Sequence, residues 1–189
     1  IEAEILARES IEIYPGNAFL YNFLGLVLSE LKKNDEAISI YKKGIKIDKN
    51  FSLFYNNLGI IYQTKGYYKK ARNLYNKAAK IDKKLPEAQN NLGNLSRILN
   101  NEKEAITFFK KAINIKPSFF PAYFNLGILY KNIGEFEKAR LYLREATKIN
   151  PSLYTAHRNL SEIIKYTKDS EHLNILIKIY NDNSNDSIN

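Results

Sequence analysis

Large apolar residues recur along the chain at spacings of three and four, the period of an α-helix with one buried face. These helical stretches come in pairs, and a short break interrupts the pattern between the two members of each pair. No apolar run approaches the roughly 20 residues that a membrane-spanning helix needs. The pattern therefore predicts an all-α fold built from helical hairpins.

The hairpins repeat every 34 residues, and the same sizes of side chain return at each repeat. The first helix of each pair carries a leucine followed by a glycine, at Gly25, Gly59, Gly93 and Gly127. The second helix carries a small, a large and again a small residue; the large ones are Tyr41, Tyr75, Phe109 and Leu143. Small residues on both helices let two backbones approach closely, while large side chains fill the space beside the contact.

One hairpin cannot bury its apolar face alone, so successive hairpins are predicted to stack and share a core. The repeat predicts four complete units, over residues 18–51, 52–85, 86–119 and 120–153. At the two ends it predicts the second helix of a partial unit over 1–17, a degenerate fifth unit or capping helices over 154–181, and a disordered tail or linker over 182–189.

This pattern resembles the tetratricopeptide repeat family, whose 34-residue units share the leucine–glycine, aromatic, alanine and proline positions found here. The resemblance covers nearly the whole chain and implies a right-handed superhelical solenoid of antiparallel helix pairs. It also implies a protein–protein interaction scaffold that binds its ligand on the concave wall lined by the first helices. The third unit departs from the family pattern at Gln89 and Ser96, so its local packing does not follow from the resemblance.

Composition and motifs argue against an enzyme. The chain has no Cys, which excludes disulfides, thiol catalysis and cysteine metal sites. His157 and His172 are its only imidazoles, and His157 occupies an aromatic packing position, so no metal site is expected. The glycines fit repeat positions or turns, and none forms a nucleotide-binding or nucleophile motif. We expect no catalytic residue and no cofactor.

The formal net charge of +9 raises the question of nucleic-acid binding. The second helices begin with acidic residues and end with lysines, which complements the helix dipole and places most of the basic charge on the outer surface. We therefore expect neither a nucleic-acid nor a membrane partner.

A cytoplasmic location is expected because no signal peptide precedes the first helix. The chain does not begin with Met and reads as a piece of a longer protein.

Asparagine recurs at one position of the first helices, two residues before the repeat glycine or, in the fifth unit, before Ser161. We call these residues the asparagine ladder: Asn57, Asn91, Asn125 and Asn159. Asparagine costs about half a kcal/mol relative to alanine inside a helix, so its repetition indicates a role. An amide offers a donor and an acceptor, as a peptide backbone does. The array resembles O-linked N-acetylglucosamine transferases at this position, which implies that the ladder holds a peptide backbone. Alternatively, asparagine recurs because the repeats share an ancestor and the protein is rich in asparagine. In that case the amide caps a neighbouring helix or faces water.

Other positions of the first helices complete the predicted groove. The further candidates are Asn22, Asn56, Asn90, Asn94, Arg97, Lys131, Arg158 and Lys165. The groove is predicted to be more apolar at its N-terminal end and more basic towards Lys165. We therefore expect an extended protein or peptide ligand whose acidic end lies near Lys165; the alternative is a scatter of solvated charge.

The C-terminal part supports an alternative function. Residues 156–180 resemble the segment that joins tetratricopeptide arrays to a sulfotransferase domain in some bacterial proteins. This implies a substrate-recruiting region of a larger sulfotransferase- or glycosyltransferase-like enzyme, with its catalytic domain outside this chain. One apolar stripe on the C-terminal helix consists of Leu173, Leu176, Ile177 and Tyr180. It predicts either a patch that something covers or a terminal cap that self-associates through this helix.

Overall fold

The computed structural model describes residues 2–164 and 172–178, and the regular elements within them are α-helices. The all-α class predicted from the sequence is thereby confirmed. The helices are α1 (Glu2–Ile13), α2 (Ala18–Glu30), α3 (Asn34–Ile47), α4 (Ser52–Thr64), α5 (Tyr68–Ile81), α6 (Pro86–Ile98), α7 (Glu102–Ile115), α8 (Phe120–Asn132), α9 (Phe136–Ile149), α10 (Tyr154–Ser161) and α11 (172–178).

The chain divides into two compact units, Ile1–Lys116 and Pro117–Asn189. In the first unit α2 pairs with α3, α4 with α5, and α6 with α7, and the first helices α2, α4 and α6 contact one another in sequence. In the second unit α8 pairs with α9, and α10 packs against α9. This is the predicted repeat of stacked helical hairpins. The limits of the repeat units stay a prediction, and the predicted tail over 182–189 lies outside the described residues.

Each hairpin is held closed by the predicted contact between a glycine and a large side chain. A Cβ atom added at Gly25 would lie 2.3 Å from Tyr41 Cε1, and one added at Gly127 would lie 2.7 Å from Leu143 Cγ. The large partners are almost completely buried, with exposed fractions of 0 to 1%. A side chain at these glycines would therefore displace the residue that fills the core of the hairpin.

The turn inside each hairpin has the same backbone conformation. Lys32, Gly66, Asn100 and Gly134 have φ angles of 61°, 79°, 57° and 81°. The next residue donates its N–H to the carbonyl five residues earlier, as Lys33 does to Leu28 at 2.9 Å. This is the Schellman motif, which requires one left-handed residue after the helix. The break predicted from the sequence is therefore a helix cap.

The third hairpin replaces aromatic packing with a polar network. Ser96 is fully buried, and its Oγ lies 2.7 Å from Glu104 Oε2. Glu104 also accepts two hydrogen bonds from Arg72, at 2.7 and 2.9 Å. The Arg72 guanidinium first, and then the Ser96 hydroxyl, lower the pKa of the Glu104 carboxyl. The network ties α5 to α7 and satisfies a small polar residue where the family pattern has a large side chain.

Candidate functional site

The first helices of the first compact unit carry a chain of amide hydrogen bonds. Asn57 Nδ2 donates to Asn22 Oδ1 at 3.0 Å, and Asn91 Nδ2 donates to Asn56 Oδ1 at 2.9 Å. Asn56 Nδ2 lies 3.3 Å from Asn57 Oδ1, which links the two steps. A buried asparagine of one hairpin therefore holds the ladder asparagine of the next hairpin, and each such bond adds roughly 1 kcal/mol to stacking.

This arrangement corrects part of the predicted groove. Asn22, Asn56 and Asn90 were expected on its surface, but their exposed fractions are only 4, 4 and 7%. Buried amides need hydrogen-bond partners, and the ladder residues Asn57 and Asn91 supply them for two of the three. The signal in the sequence was the Asn-Asn pair at 56–57 and again at 90–91, in which the first member faces the neighbouring hairpin.

The ladder residues of this unit have amide hydrogen-bonding capacity that the described residues do not use. Asn57 and Asn91 are half-buried, and each uses one of its two Nδ2 hydrogens on the preceding hairpin. Asn91 Oδ1 and Asn94 Oδ1 have no hydrogen-bond partner within the described residues, and the Asn94 oxygen is buried. Arg97 is exposed on the same helix and forms no ion pair with another described residue.

Apolar side chains lie at equivalent positions of the neighbouring helices. Phe23 and Leu26 on α2 and Ile60 on α4 are 42, 43 and 44% exposed. Because α2, α4 and α6 contact one another in sequence, equivalent positions on them share one surface. We call this surface the first-helix face; it comprises Phe23, Leu26, Asn57, Ile60, Asn91 and Asn94. It combines exposed apolar area with fixed amides.

In the second compact unit the ladder position is already bonded. Asn159 Oδ1 accepts from Lys131 Nζ at 2.7 Å, and Asn159 Nδ2 donates to Thr155 O at 2.7 Å. Asn125 is half-buried on α8. The ladder is therefore not uniform: its members differ in how much hydrogen-bonding capacity they have left.

The predicted basic end of the groove is partly neutralised. Lys131 forms an ion pair with Glu162, and Arg158 Nε lies 3.5 Å from the other Glu162 oxygen. Lys131 lowers the pKa of the Glu162 carboxyl, first through its hydrogen bond. Glu162 thus lies between Lys131 and Arg158 and offsets part of their positive charge, and the basic end of the groove stays a prediction. Lys165 lies outside the described residues.

The exposed side chains of α11 are relevant to the predicted self-association. Ile175 and Ile177 are 38 and 49% exposed, whereas Leu173 and Leu176 are half-buried. Tyr180, the last member of the predicted stripe, lies outside the described residues. Self-association through this helix stays a prediction.

The described residues offer neither a metal site nor a membrane-spanning helix. Within residues 2–164 and 172–178, no three His, Cys, Asp or Glu side chains are grouped so that they could hold a metal ion. None of the described helices combines the length and apolar character needed to cross a bilayer.

Family models agree with the helix pairing. Models of the tetratricopeptide repeat match residues 25–66, 53–118 and 120–153, and so account for nearly all of the chain from α2 to α9. The chain belongs to the tetratricopeptide repeat family. Membership of this family supports a role as a protein-interaction scaffold. No curated protein matches the chain significantly.

Solved structures of other tetratricopeptide repeat proteins share the fold. YrrB, described as a protein with an unusual peptide-binding site, is 23% identical with a TM-score of 0.61, over 93% of this chain and 91% of its own. MamA is 26% identical with a TM-score of 0.62, over 77% and 80% of the two chains. A thermophilic protein of the family from Thermus thermophilus, TTC0263, is 15% identical with a TM-score of 0.74, over 85% and 88%.

Proposed function

We propose that this tetratricopeptide repeat protein is a non-catalytic scaffold that binds an extended segment of a partner protein along the first-helix face. The observation that carries the proposal is the pair of half-buried amides of Asn57 and Asn91, which Asn22 and Asn56 hold in place. Side chains already fixed lose little entropy on binding, and an amide can satisfy a peptide backbone group.

The apolar part of the face supplies the contact area. Phe23, Leu26 and Ile60 are exposed together on neighbouring helices, and apolar side chains of a partner would remove them from water. The similarity to YrrB, which has a peptide-binding site, supports the same kind of ligand. Backbone bonds from the amides would fix the direction of the peptide, while the apolar positions would select its side chains.

An exposed arginine beside the first-helix face supports a charge for the ligand. Arg97 is exposed on α6 and can bind a carboxylate without first breaking an ion pair within the described residues. Lys131 and Arg158 would have to exchange Glu162 for the ligand. We therefore propose that an acidic residue of the ligand lies near Arg97. A cytoplasmic location stays a prediction.

A peptide library displayed on phage would supply the probe, and the selected peptide would be measured against variants of the 189-residue chain. We expect Asn91→Ala to weaken binding at least tenfold, whereas Asn76→Ala, an exposed asparagine on α5, should leave affinity within about twofold. Replacing Phe23 and Ile60 with serine should also weaken binding, and Leu141→Ser, an exposed apolar residue on α9, should not. Equal affinity in all variants, with circular dichroism unchanged, would refute the proposal.

The alternative function, recruitment of substrates for a larger transferase, stays a prediction. It depends on residues 156–180, of which 165–171 and 179–180 lie outside the described residues. The gene sequence beyond Asn189 tests it. A strand followed by a glycine-rich phosphosulfate-binding loop would support the alternative, and a stop codon shortly after Asn189 would eliminate it.

A further inference from the structure

One histidine replaces a tyrosine that other first helices use for a backbone hydrogen bond. Tyr21 Oη donates to Pro15 O at 3.1 Å, and Tyr55 Oη donates to Lys49 O at 2.9 Å, each across six residues. His157 occupies the same position of α10, and its Nε2 lies 2.9 Å from Pro151 O, again six residues earlier. A carbonyl oxygen only accepts, so His157 Nε2 carries the hydrogen.

The imidazole has a second nitrogen, which the tyrosine lacks. His157 Nδ1 lies 3.0 Å from His172 Nε2, and the two residues are only 2 and 8% exposed. The planes of the two rings differ by only 14°, and their centroids are 5.2 Å apart. The centroid distance is longer than the N···N distance by about the sum of the two ring radii, as it is when both nitrogens lie on the line between the centroids. The rings therefore meet edge to edge with their nitrogens pointing at each other. Two metal ligands would instead direct their lone pairs at a common third point, so this geometry is a hydrogen bond.

The bond limits how many protons the pair can hold. With both rings neutral, His157 Nε2–H donates to Pro151, and His157 Nδ1 accepts the Nε2–H of His172. One proton added to the pair still leaves a single N–H between the two nitrogens, so the bond survives, but a positive charge is buried. A second added proton places two N–H groups opposite each other and two cations in contact, which removes the bond.

The surroundings also disfavour a charged pair. Burial lowers the pKa of His172, and the charges of His157 and of Arg144 on α9 lower it further. Both of these groups are cationic when charged, so each disfavours a positive charge on His172. Docking of α11 therefore favours the neutral form of His172.

We propose that the hydrogen-bonded pair of His157 and His172 is a pH-sensitive latch, which docks α11 on α10 at neutral pH and releases it on acidification. Since the docked state favours neutral His172, its contribution to stability is complete above the ordinary histidine pKa of about 6.5 and is lost as the pH falls below that value. Leu173 and Leu176 are half-buried in the docked helix, and we expect release to expose them.

Hydrogen exchange of the 189-residue chain, read by mass spectrometry between about pH 7.5 and 5.5 and corrected for intrinsic rates, tests the latch. In the wild type we expect protection of residues 172–178 to fall on acidification, by at most about tenfold per pH unit for one proton. Residues 52–81 are the internal control, because the first compact unit contains no histidine and its protection should stay constant.

Two variants separate the latch from ordinary packing. His157→Tyr restores the residue of Tyr21 and Tyr55, keeps the bond to Pro151 and removes the nitrogen that binds His172. We expect it to lower protection of residues 172–178 at neutral pH and to abolish the pH dependence. His172→Gln retains a donor for His157 Nδ1, so docking should survive with a weaker pH response. Constant protection in the wild type, or the same pH response in both variants, would overturn the proposal.

Discussion

Arg72 on α5 and Glu104 on α7 form a two-bond ion pair, with Nη1 2.7 Å from Oε1 and Nη2 2.9 Å from Oε2. The paired geometry is the strong form of this interaction, and Ser96 adds a third bond to the same carboxylate. The second helices of adjacent hairpins are thus tied together where Ser96 leaves room for the carboxylate.

We expect Glu104→Gln to lower the free energy of unfolding by about 1–2 kcal/mol at neutral pH, measured by urea denaturation. Because Arg72 lowers the pKa of Glu104, the contribution of the carboxylate is present above its ordinary pKa of 4.5 and is lost as the pH falls below that value. Wild type and variant should therefore converge in acid. The control is Glu102→Gln, which changes an exposed acid in the same turn. A stability difference between wild type and Glu104→Gln that does not change with pH would contradict the ion-pair account.

We expect Lys32→Gly to raise the free energy of unfolding by about 1 kcal/mol, because Lys32 has a φ of 61° that glycine adopts without strain. Asn100→Gly should gain less, since asparagine tolerates this conformation better. Gly66→Ala should lower stability, although a Cβ there would meet no atom within 4 Å. Thermal unfolding would compare the stability of the three variants with that of the wild type. A Gly66→Ala variant as stable as the wild type would show that the positive φ angle does not matter for stability.

We expect Gly44 and Phe54 to be energetically coupled. A Cβ added at Gly44 would lie 2.3 Å from Phe54 Cζ, while the equivalent positions one repeat later are both alanine, at Ala78 and Ala88. Gly44→Ala should cost about 1–3 kcal/mol by overpacking, and Phe54→Ala about 3–5 kcal/mol by leaving a cavity. In a double-mutant cycle, the double variant should lose less stability than the sum of the losses in the two single variants, because alanine at both positions partly fills the space. Simple additivity would argue against the steric pairing.

We expect the tyrosines at equivalent positions of α3 and α5 to differ when their hydroxyls are removed. Tyr75 Oη donates to Gln63 Oε1 at 2.9 Å, so Tyr75→Phe should cost about 1 kcal/mol. The Tyr41 hydroxyl is buried near Ser29 and Asn57 but meets no partner of hydrogen-bond geometry among the described residues, and burial raises its pKa to about 12. Tyr41→Phe should therefore be neutral or stabilising in urea denaturation, and an equal loss in both variants would contradict this reasoning.

The site was less accessible to sequence reasoning than the fold. Asn56 and Asn57 are neighbours in sequence, yet one is 4% exposed and the other is half-buried. The repeat marked both positions, but which amide faces the next hairpin depends on how α4 is rotated against α2 and α6. The pairing of Glu162 with Lys131 was missed for the same reason, since the two residues are 31 positions apart, Lys131 on α8 and Glu162 directly after α10.

The sequence by itself determined the helical hairpins and the close contacts within them. Period and side-chain size are local properties: a glycine such as Gly59 and a large residue such as Tyr75 return at the same spacing in each repeat, and only one helix packing accommodates both. Only the tertiary structure decided which hydrogen-bond partners the polar side chains have. Asn57 bonds to Asn22, and His157 meets His172, because donors and acceptors pair by distance in space, and the distance between residues on different elements is set by how those elements pack.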